Sequence, residues 1–227
     1  EILRCLVGSE MCIRDRVTVY VKWENHTVAS INLENVPAFL YRKDLHIDLA
    51  GYGDVSVDIG YGGNFFVLAD VHSLGLTITK DTVNLLRSLS KDILAAANKV
   101  IKVAHPTNPA INYLDQVLFC QNVPEEDGGY LAQCIFGDAQ ADISPCGTGT
   151  STRLAQRYFR GLIGLEETFV QKSVCGGAFH AKGLRETTLG GVPAIVPYVS
   201  CSDVHITGFN HLIVEENDKL KNGFVSW

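Results

Sequence analysis

The chain has 227 residues, 46% hydrophobic and 19% charged, which is the balance of an ordinary globular protein and fits one large domain or two small ones. Its formal net charge of -6 and the lack of any Lys/Arg cluster argue against a nucleic-acid partner. No apolar run is long enough to span a membrane as a helix.

The first third reads as antiparallel sheet. Short strands are expected at Val17 to Val21 and Thr27 to Leu33, a turn at Asn35-Val36-Pro37, and further strands at Ala38 to Tyr41 and His46 to Ala50. Gly53-Asp54 is expected to close a hairpin onto Val55 to Ile59, and the cluster Gly60 to Gly63 to break that run before the apolar stretch Asn64 to Ala69. The period then changes. Val83, Leu86, Leu89, Ile93, Leu94 and Ala97 stand at helical spacing and predict a helix over Thr82 to Val103, ended by His105-Pro106. Ile101 to Thr107 suits a hinge between lobes and a simple loop equally well.

Val117 to Cys120 and Tyr130 to Phe136 read as strands around an acidic turn at Pro124 to Gly129. A second helix is expected from Thr148 to Arg160. Strands follow at Phe169 to Val174, Ala178 to Lys182, Ala194 to Val199, Asp203 to Thr207 and His211 to Glu215. Dispersed hairpins with two helices favour an α+β fold over a doubly wound parallel one.

Seven cysteines occur, at positions 5, 12, 120, 134, 146, 175 and 201. None sits in a CxxC pair, and no His/Cys spacing resembles a zinc site. Reduced thiols in a cytoplasmic protein with no metal are the expectation.

The chemistry concentrates at Asp142-Ile143-Ser144-Pro145-Cys146-Gly147-Thr148-Gly149-Thr150-Ser151. A polar turn holds a thiol immediately before a helix start. Pro145 fixes the backbone before it, and Gly147 and Gly149 permit positive φ and close ligand approach. First-turn amides form an anion nest, and the helix start favours a thiolate. Thr148, Thr150 and Ser151 supply hydroxyls, at least one of them as a helix cap. Asp142 either caps a turn or holds a substrate ammonium. Gly62, Gly63 and Asn64 either make a sheet bulge or line the site. His105 reads as loop or pocket wall, and His205 as facing core or cleft.

The same segment resembles the proline racemase family. The resemblance extends to Val57-Asp58-Ile59-Gly60-Tyr61-Gly62-Gly63-Asn64-Phe65-Phe66, Asn35-Val36-Pro37-Ala38-Phe39 and Ile206-Thr207-Gly208, and runs from about Val17 to the end. It implies a diaminopimelate epimerase-like fold of two pseudo-symmetric lobes, each with antiparallel sheet around a central helix, the first lobe incomplete. It implies residues 17–80 as a partial first lobe, 81–208 as a second lobe carrying Cys146, and 209–227 as a return to the first lobe. The activity implied is cofactor-independent inversion of the α-carbon of proline or hydroxyproline by two cysteines, with trans-3-hydroxy-L-proline dehydration as the alternative. Many dehydratases of the family have threonine where this chain has Cys146. Cys146 matches a catalytic cysteine, Gly147 and Thr148 the contacts to substrate carboxylate, and Asp142 the contact to substrate nitrogen. The partner implied is a small amino acid, with a homodimer as the possible assembly.

The chain departs from that pattern in three places. The family's Met-Cys-Gly-His motif is met only by Met11-Cys12-Ile13-Arg14, and the first catalytic role is not carried onto Cys12. Residues 1–16 resemble translated adapter sequence, so a non-native leader and an inactive fragment are the expectation. Asn112 to Cys120 lacks a substrate-contacting histidine, and Ile143 replaces a commonly basic residue.

Overall fold

The computed structural model describes residues 18–122, 129–202, 204–205 and 213–219. Its elements in chain order are β1 (Thr18–Glu24), β2 (Thr27–Glu34), β3 (Phe39–Leu49), β4 (Gly53–Tyr61), β5 (Phe65–Asp70), α1 (Val83–Val100), β6 (Gln116–Asn122), β7 (Gly129–Phe136), β8 (Gln140–Ala141), α2 (Gly147–Phe159), β9 (Phe169–Ser173), β10 (Ala178–Leu189) and β11 (Val192–Cys201). Among the described residues no helix is long and apolar enough to cross a membrane.

Several boundaries differ from the sequence expectation for local reasons. Ala38 to Tyr41 and His46 to Ala50 belong to the one strand β3. Register shifts between Leu40 and Arg42 and between Arg42 and Leu45 absorb the charged run in between, where Asp44 takes φ 48°. Gly53-Asp54 is not the hairpin turn. The chain turns at 50–52, and Gly53 and Asp54 already pair with Leu49 and Asp48. Helix α1 stops at Val100, because Ile101 is extended (φ -137°, ψ 144°). Strand β10 runs on to Leu189, since its polar second half pairs residue by residue with β11. Residues 1–16, most of the turn at Pro124 to Gly129, and most of the last two expected strands lie outside the described residues. The described parts of those two strands, 204–205 and 213–215, are not in a strand.

The strands form one sheet in the order β1-β2-β11-β10-β9-β7-β6-β5-β4-β3, with β8 paired to β7. Its only parallel neighbours among the described strands are β5 with β6 and β7 with β9. Each parallel joint needs a crossover, and each crossover contains a helix: α1 for the first, β8 and α2 for the second. The fold is α+β, with the same strand–helix–strand unit used twice.

The middle of the sheet is buried on both faces. Phe65, Val67 and Ala69 of β5, Val117 and Phe119 of β6, and Ile135 of β7 pack with Leu86, Leu89, Ile93 and Ala97 of α1. Strand alternation turns their neighbours the other way. Phe66, Leu68, Leu118, Cys120, Ala132 and Cys134 thus form a second layer, and Cys146 closes it.

Leu154 and Ala155 anchor α2 against Phe169, Ala181, Ile195 and Val199 of strands β9 to β11. The far end of α2 is held by Asp58 of β4, 3% exposed. Its carboxylate accepts hydrogen bonds from Arg160 (2.6 and 2.7 Å), Gln156 (2.7 Å) and the Asp44 N–H (2.9 Å). Burial pushes this carboxyl up, but those donors outweigh it and hold it below the ordinary carboxylate range.

Candidate active site

Cys146 sits at the amino-terminal cap of α2 with φ 65° and ψ 111°. Positive φ is uncommon outside glycine and costs about 1–3 kcal/mol, so the surroundings must impose it. They do so through a relay. The Asp142 Oδ1 accepts the Ser144 N–H (2.8 Å), the Ser144 hydroxyl accepts the Cys146 N–H (3.0 Å), and the Cys146 carbonyl accepts the Thr150 N–H (2.8 Å). The expected glycine freedom lies elsewhere than anticipated. Gly147 and Gly149 belong to the first turn of α2, and the cysteine itself is left-handed. Gly149 permits closeness instead: a Cβ there would stand 3.1 Å from the Cys146 Sγ and 3.1 Å from Leu118, tighter than an ordinary contact.

The cap is the thiol and not a hydroxyl. The Cys146 Sγ accepts the Gly149 N–H at 3.3 Å. Thr150, Ser151 and Thr152 are fully buried, and their hydroxyls return to the carbonyls of Pro145 (3.2 Å), Gly147 (2.9 Å) and Thr148 (2.8 Å). Gln171 of β9 locks the same corner by donating to the Pro145 carbonyl (2.7 Å) and the Thr150 hydroxyl (2.9 Å). The Thr148 hydroxyl differs and lies 3.6 Å from the Cys146 Sγ. Amides in a helix's first turn have no intrahelical acceptor, so Gly147 and Thr148 present N–H groups and the positive end of the helix beside the thiol.

The glycine cluster packs on that same turn. A Cβ on Gly62 would lie 2.6 Å from the Thr148 carbonyl and 2.6 Å from the Thr152 nitrogen, so only glycine fits. Asn35, placed after β2, ties the two together by donating to the Gly62 carbonyl (3.1 Å) and the Ser151 hydroxyl (2.8 Å). Gly63 has φ 123°. Asn64 is 2% exposed, and its side-chain oxygen has no hydrogen-bond partner among the described residues.

Asp142 is half-buried. Its turn-capping role is realised through Ser144, and one of its carboxylate oxygens also lies within 4.8 Å of the Cys146 Sγ. Ile143, beside it, is 77% exposed, so no packing demand fixes the residue type at this rim.

Three residues of the site escaped the sequence reading. Cys134 of β7 has its Sγ within 4.8 Å of both the Cys146 Sγ and the Asp142 carboxylate. The β7–β8 hairpin brings it there, the Asp142 N–H donating to the Cys134 carbonyl at 3.0 Å. Gln133 clamps the hairpin by donating to the carbonyls of Cys134 (3.0 Å) and Asp142 (2.8 Å). Asn35 is the third. Strand alternation was the one available signal, since it sets Cys134 opposite Ile135 and on the Cys146 side.

The other candidates are not at the thiol. His105 lies in the loop that follows α1. It is 7% exposed, packs on Tyr61 (ring centroids 4.8 Å apart), and its Nδ1 accepts the N–H groups of Asn108 (3.0 Å) and Thr107 (3.3 Å). His205 is exposed. Cys120 shares the buried layer under Cys146, but burial pushes its thiol up and away from the thiolate form. None of the described cysteines is in a disulfide.

Known proteins resemble this chain in sequence and in fold. Residues 12–225 match the family model described as proline racemase. The chain is 37% identical over 210 residues to a trans-3-hydroxy-L-proline dehydratase of Burkholderia cenocepacia, covering 92% of this chain and 62% of that protein. It is 37% identical over 195 residues to a proline racemase of Clostridioides difficile, covering 86% and 58%. A crystal structure of a hydroxyproline epimerase from Agrobacterium vitis, with bound trans-4-hydroxy-L-proline, superposes with a TM-score of 0.78 at 30% identity, covering 92% of this chain and 60% of that one. The chain therefore spans about three fifths of the length of the relatives it matches. The diaminopimelate epimerase-like fold implied by the resemblance holds. With a matching family model over nearly the whole chain and the Cys146 turn folded as a helix cap, this chain belongs to the proline racemase family.

Proposed function

We propose that the chain carries one face of a cofactor-independent site that inverts the α-carbon of proline or hydroxyproline, with Cys146 as the acid/base on that face. The observation that carries this reading is the thiol capping α2 beside the first-turn amides. The substrate carboxylate lies against the amides of Gly147 and Thr148, and Asp142 holds the ring ammonium. The Cys146 thiolate removes the α-proton. The electron pair left behind delocalises into the carboxylate, where fixed N–H dipoles stabilise the added charge. A second acid on the opposite face returns a proton to the same carbon.

Cys134 does not fit the role of that second acid. Two groups flanking one carbon, each about 3–3.5 Å from it, stand roughly 6–7 Å apart, whereas its Sγ is within 4.8 Å of that of Cys146. The opposing group comes from another part of the protein.

The second reading is dehydration of trans-3-hydroxy-L-proline, favoured by the Burkholderia cenocepacia relative. It uses the same α-proton removal, followed by loss of the 3-hydroxyl group as water. One experiment separates the two. Proline, trans-4-hydroxy-L-proline and trans-3-hydroxy-L-proline are each incubated in deuterated water with the whole protein, which includes the part that supplies the opposing group. Deuterium at the α-carbon together with the opposite stereoisomer is the expected result. A pyrroline formed from the 3-hydroxy substrate alone supports the dehydratase. No exchange with any of the three overturns both.

A further inference from the structure

The Cys146 thiol has a close neighbour that the proton-transfer reading leaves unused. The Sγ atoms of Cys134 and Cys146 and one carboxylate oxygen of Asp142 all lie within 4.8 Å of one another. We propose that these three side chains form a binding site for a soft divalent cation of the zinc and cadmium class, with the fourth coordination position open.

The ligand set fits such an ion. Zinc is bound tetrahedrally at about 2.3 Å from sulfur and about 2.0–2.2 Å from a carboxylate oxygen, which places two ligand atoms roughly 3.5–3.8 Å apart. The present spacing needs a closure of at most about 1.0–1.3 Å, within reach of small side-chain rotations. Two thiolates and one carboxylate select a soft ion over magnesium or calcium, which take oxygen ligands.

The frame is preformed around all three ligands. Cys134 and Asp142 are joined across the β7–β8 hairpin by their backbone hydrogen bond (3.0 Å), and Gln133 pins both carbonyls. The Ser144 N–H on Asp142 Oδ1 orients the carboxylate. The Gly149 N–H orients the Cys146 sulfur. Outer contacts of this kind fix ligand direction in metal sites. Both cysteines are buried while Asp142 is half-buried, so an ion reaches the site from the Asp142 side.

Metal binding displaces the thiol protons and engages the sulfur that acts on substrate. The ion is therefore an inhibitor that competes with proton transfer. This consequence rests on the acid/base role of Cys146; the binding itself does not.

The test titrates the reduced full-length chain with cadmium, in a background where Cys5, Cys12, Cys175 and Cys201 are serine. Thiolate-to-cadmium charge-transfer absorption is the readout, and zinc is the competitor. One equivalent of cadmium, displaced by zinc, is expected. Cys134→Ser and Cys146→Ser should each weaken it about 100-fold or more, and Asp142→Asn about 10-fold, at least matching the loss typical of outer contacts. A charge-transfer signal unchanged by Cys134→Ser overturns the site. Should that variant not fold, cadmium must protect both Cys134 and Cys146 of the parent chain from alkylation, read by mass spectrometry; protection of neither or of only one also overturns it. Cadmium bound in this way without slowing α-proton exchange leaves the metal site standing and counts against Cys146 as the acid/base.

Discussion

The two crossover helices occupy equivalent places in the sheet and are built on opposite principles. Helix α1 buries Leu86, Leu89, Ile93 and Ala97 and is held by carbon volume. The first half of α2 buries Thr148, Thr150, Ser151, Thr152 and Arg153 and is held by hydrogen bonds. Buried hydroxyls are stable there because Thr150, Ser151 and Thr152 each donate to a carbonyl of the preceding turn. Small polar side chains also let Gly60 and Gly62 approach the helix, Gly62 directly against its backbone. A packing helix needs bulk at the sheet, whereas a helix that offers its amino end to a ligand needs a slim, fully satisfied one.

The sharpest break in this comparison is Cys146→Ser. It should lower α-proton exchange about 10³-fold, within the range for loss of a general acid/base, with an unchanged circular dichroism spectrum. Turnover near that of the parent sinks the role of the thiol. Ile93→Ala, on the other helix, should cost about 3–4 kcal/mol as a cavity in the core, measured by chemical denaturation, while leaving the alkylation rate of Cys146 in the native state unchanged. Gly62→Ala should cost about 2–3 kcal/mol by overpacking against backbone that cannot rotate away. Unlike Ile93→Ala, it should also change Cys146 reactivity.

Thr150→Val keeps the shape and removes the hydroxyl, so it should cost about 1–2 kcal/mol. A neutral result would show that volume and not hydrogen bonding holds this turn. The smallest effect is in acid. The folded Asp58 carboxyl lies below the unfolded value of about 3.9, so its contribution is complete above that value and is lost as pH falls through it towards the folded value. The denaturation midpoint should therefore drop as pH is lowered through about 3.9 and on towards the folded value, and Asp58→Asn should flatten that slope.

Much of this was legible in local sequence. The period of Leu86, Leu89, Ile93 and Ala97 gave α1 because an amphipathic stripe has one way to bury itself. The Cys146 turn declared a thiol at a helix start, since proline, cysteine and glycine in that order have few alternatives. The errors were local too. Gly53-Asp54 looked like a hairpin turn, but the chain turns at 50–52, and Gly53, itself at φ 75°, already pairs with Leu49. The charged run Arg42-Lys43-Asp44 looked like a break in β3, because a bulge stabilised by Asp58, fourteen residues on, has no local signature.

The sequence by itself determined most of the strands, the two helices, the turn that bears Cys146 and the family to which the chain belongs. Only the tertiary structure decided which residue bears the positive φ, what caps α2, and which residues stand beside the thiol. Cys134 meets Cys146 through a hairpin, and Asn35 meets Gly62 and Ser151 across three separate elements. Such contacts depend on register and crossover, which are set by burial over the whole sheet and not by neighbours along the chain.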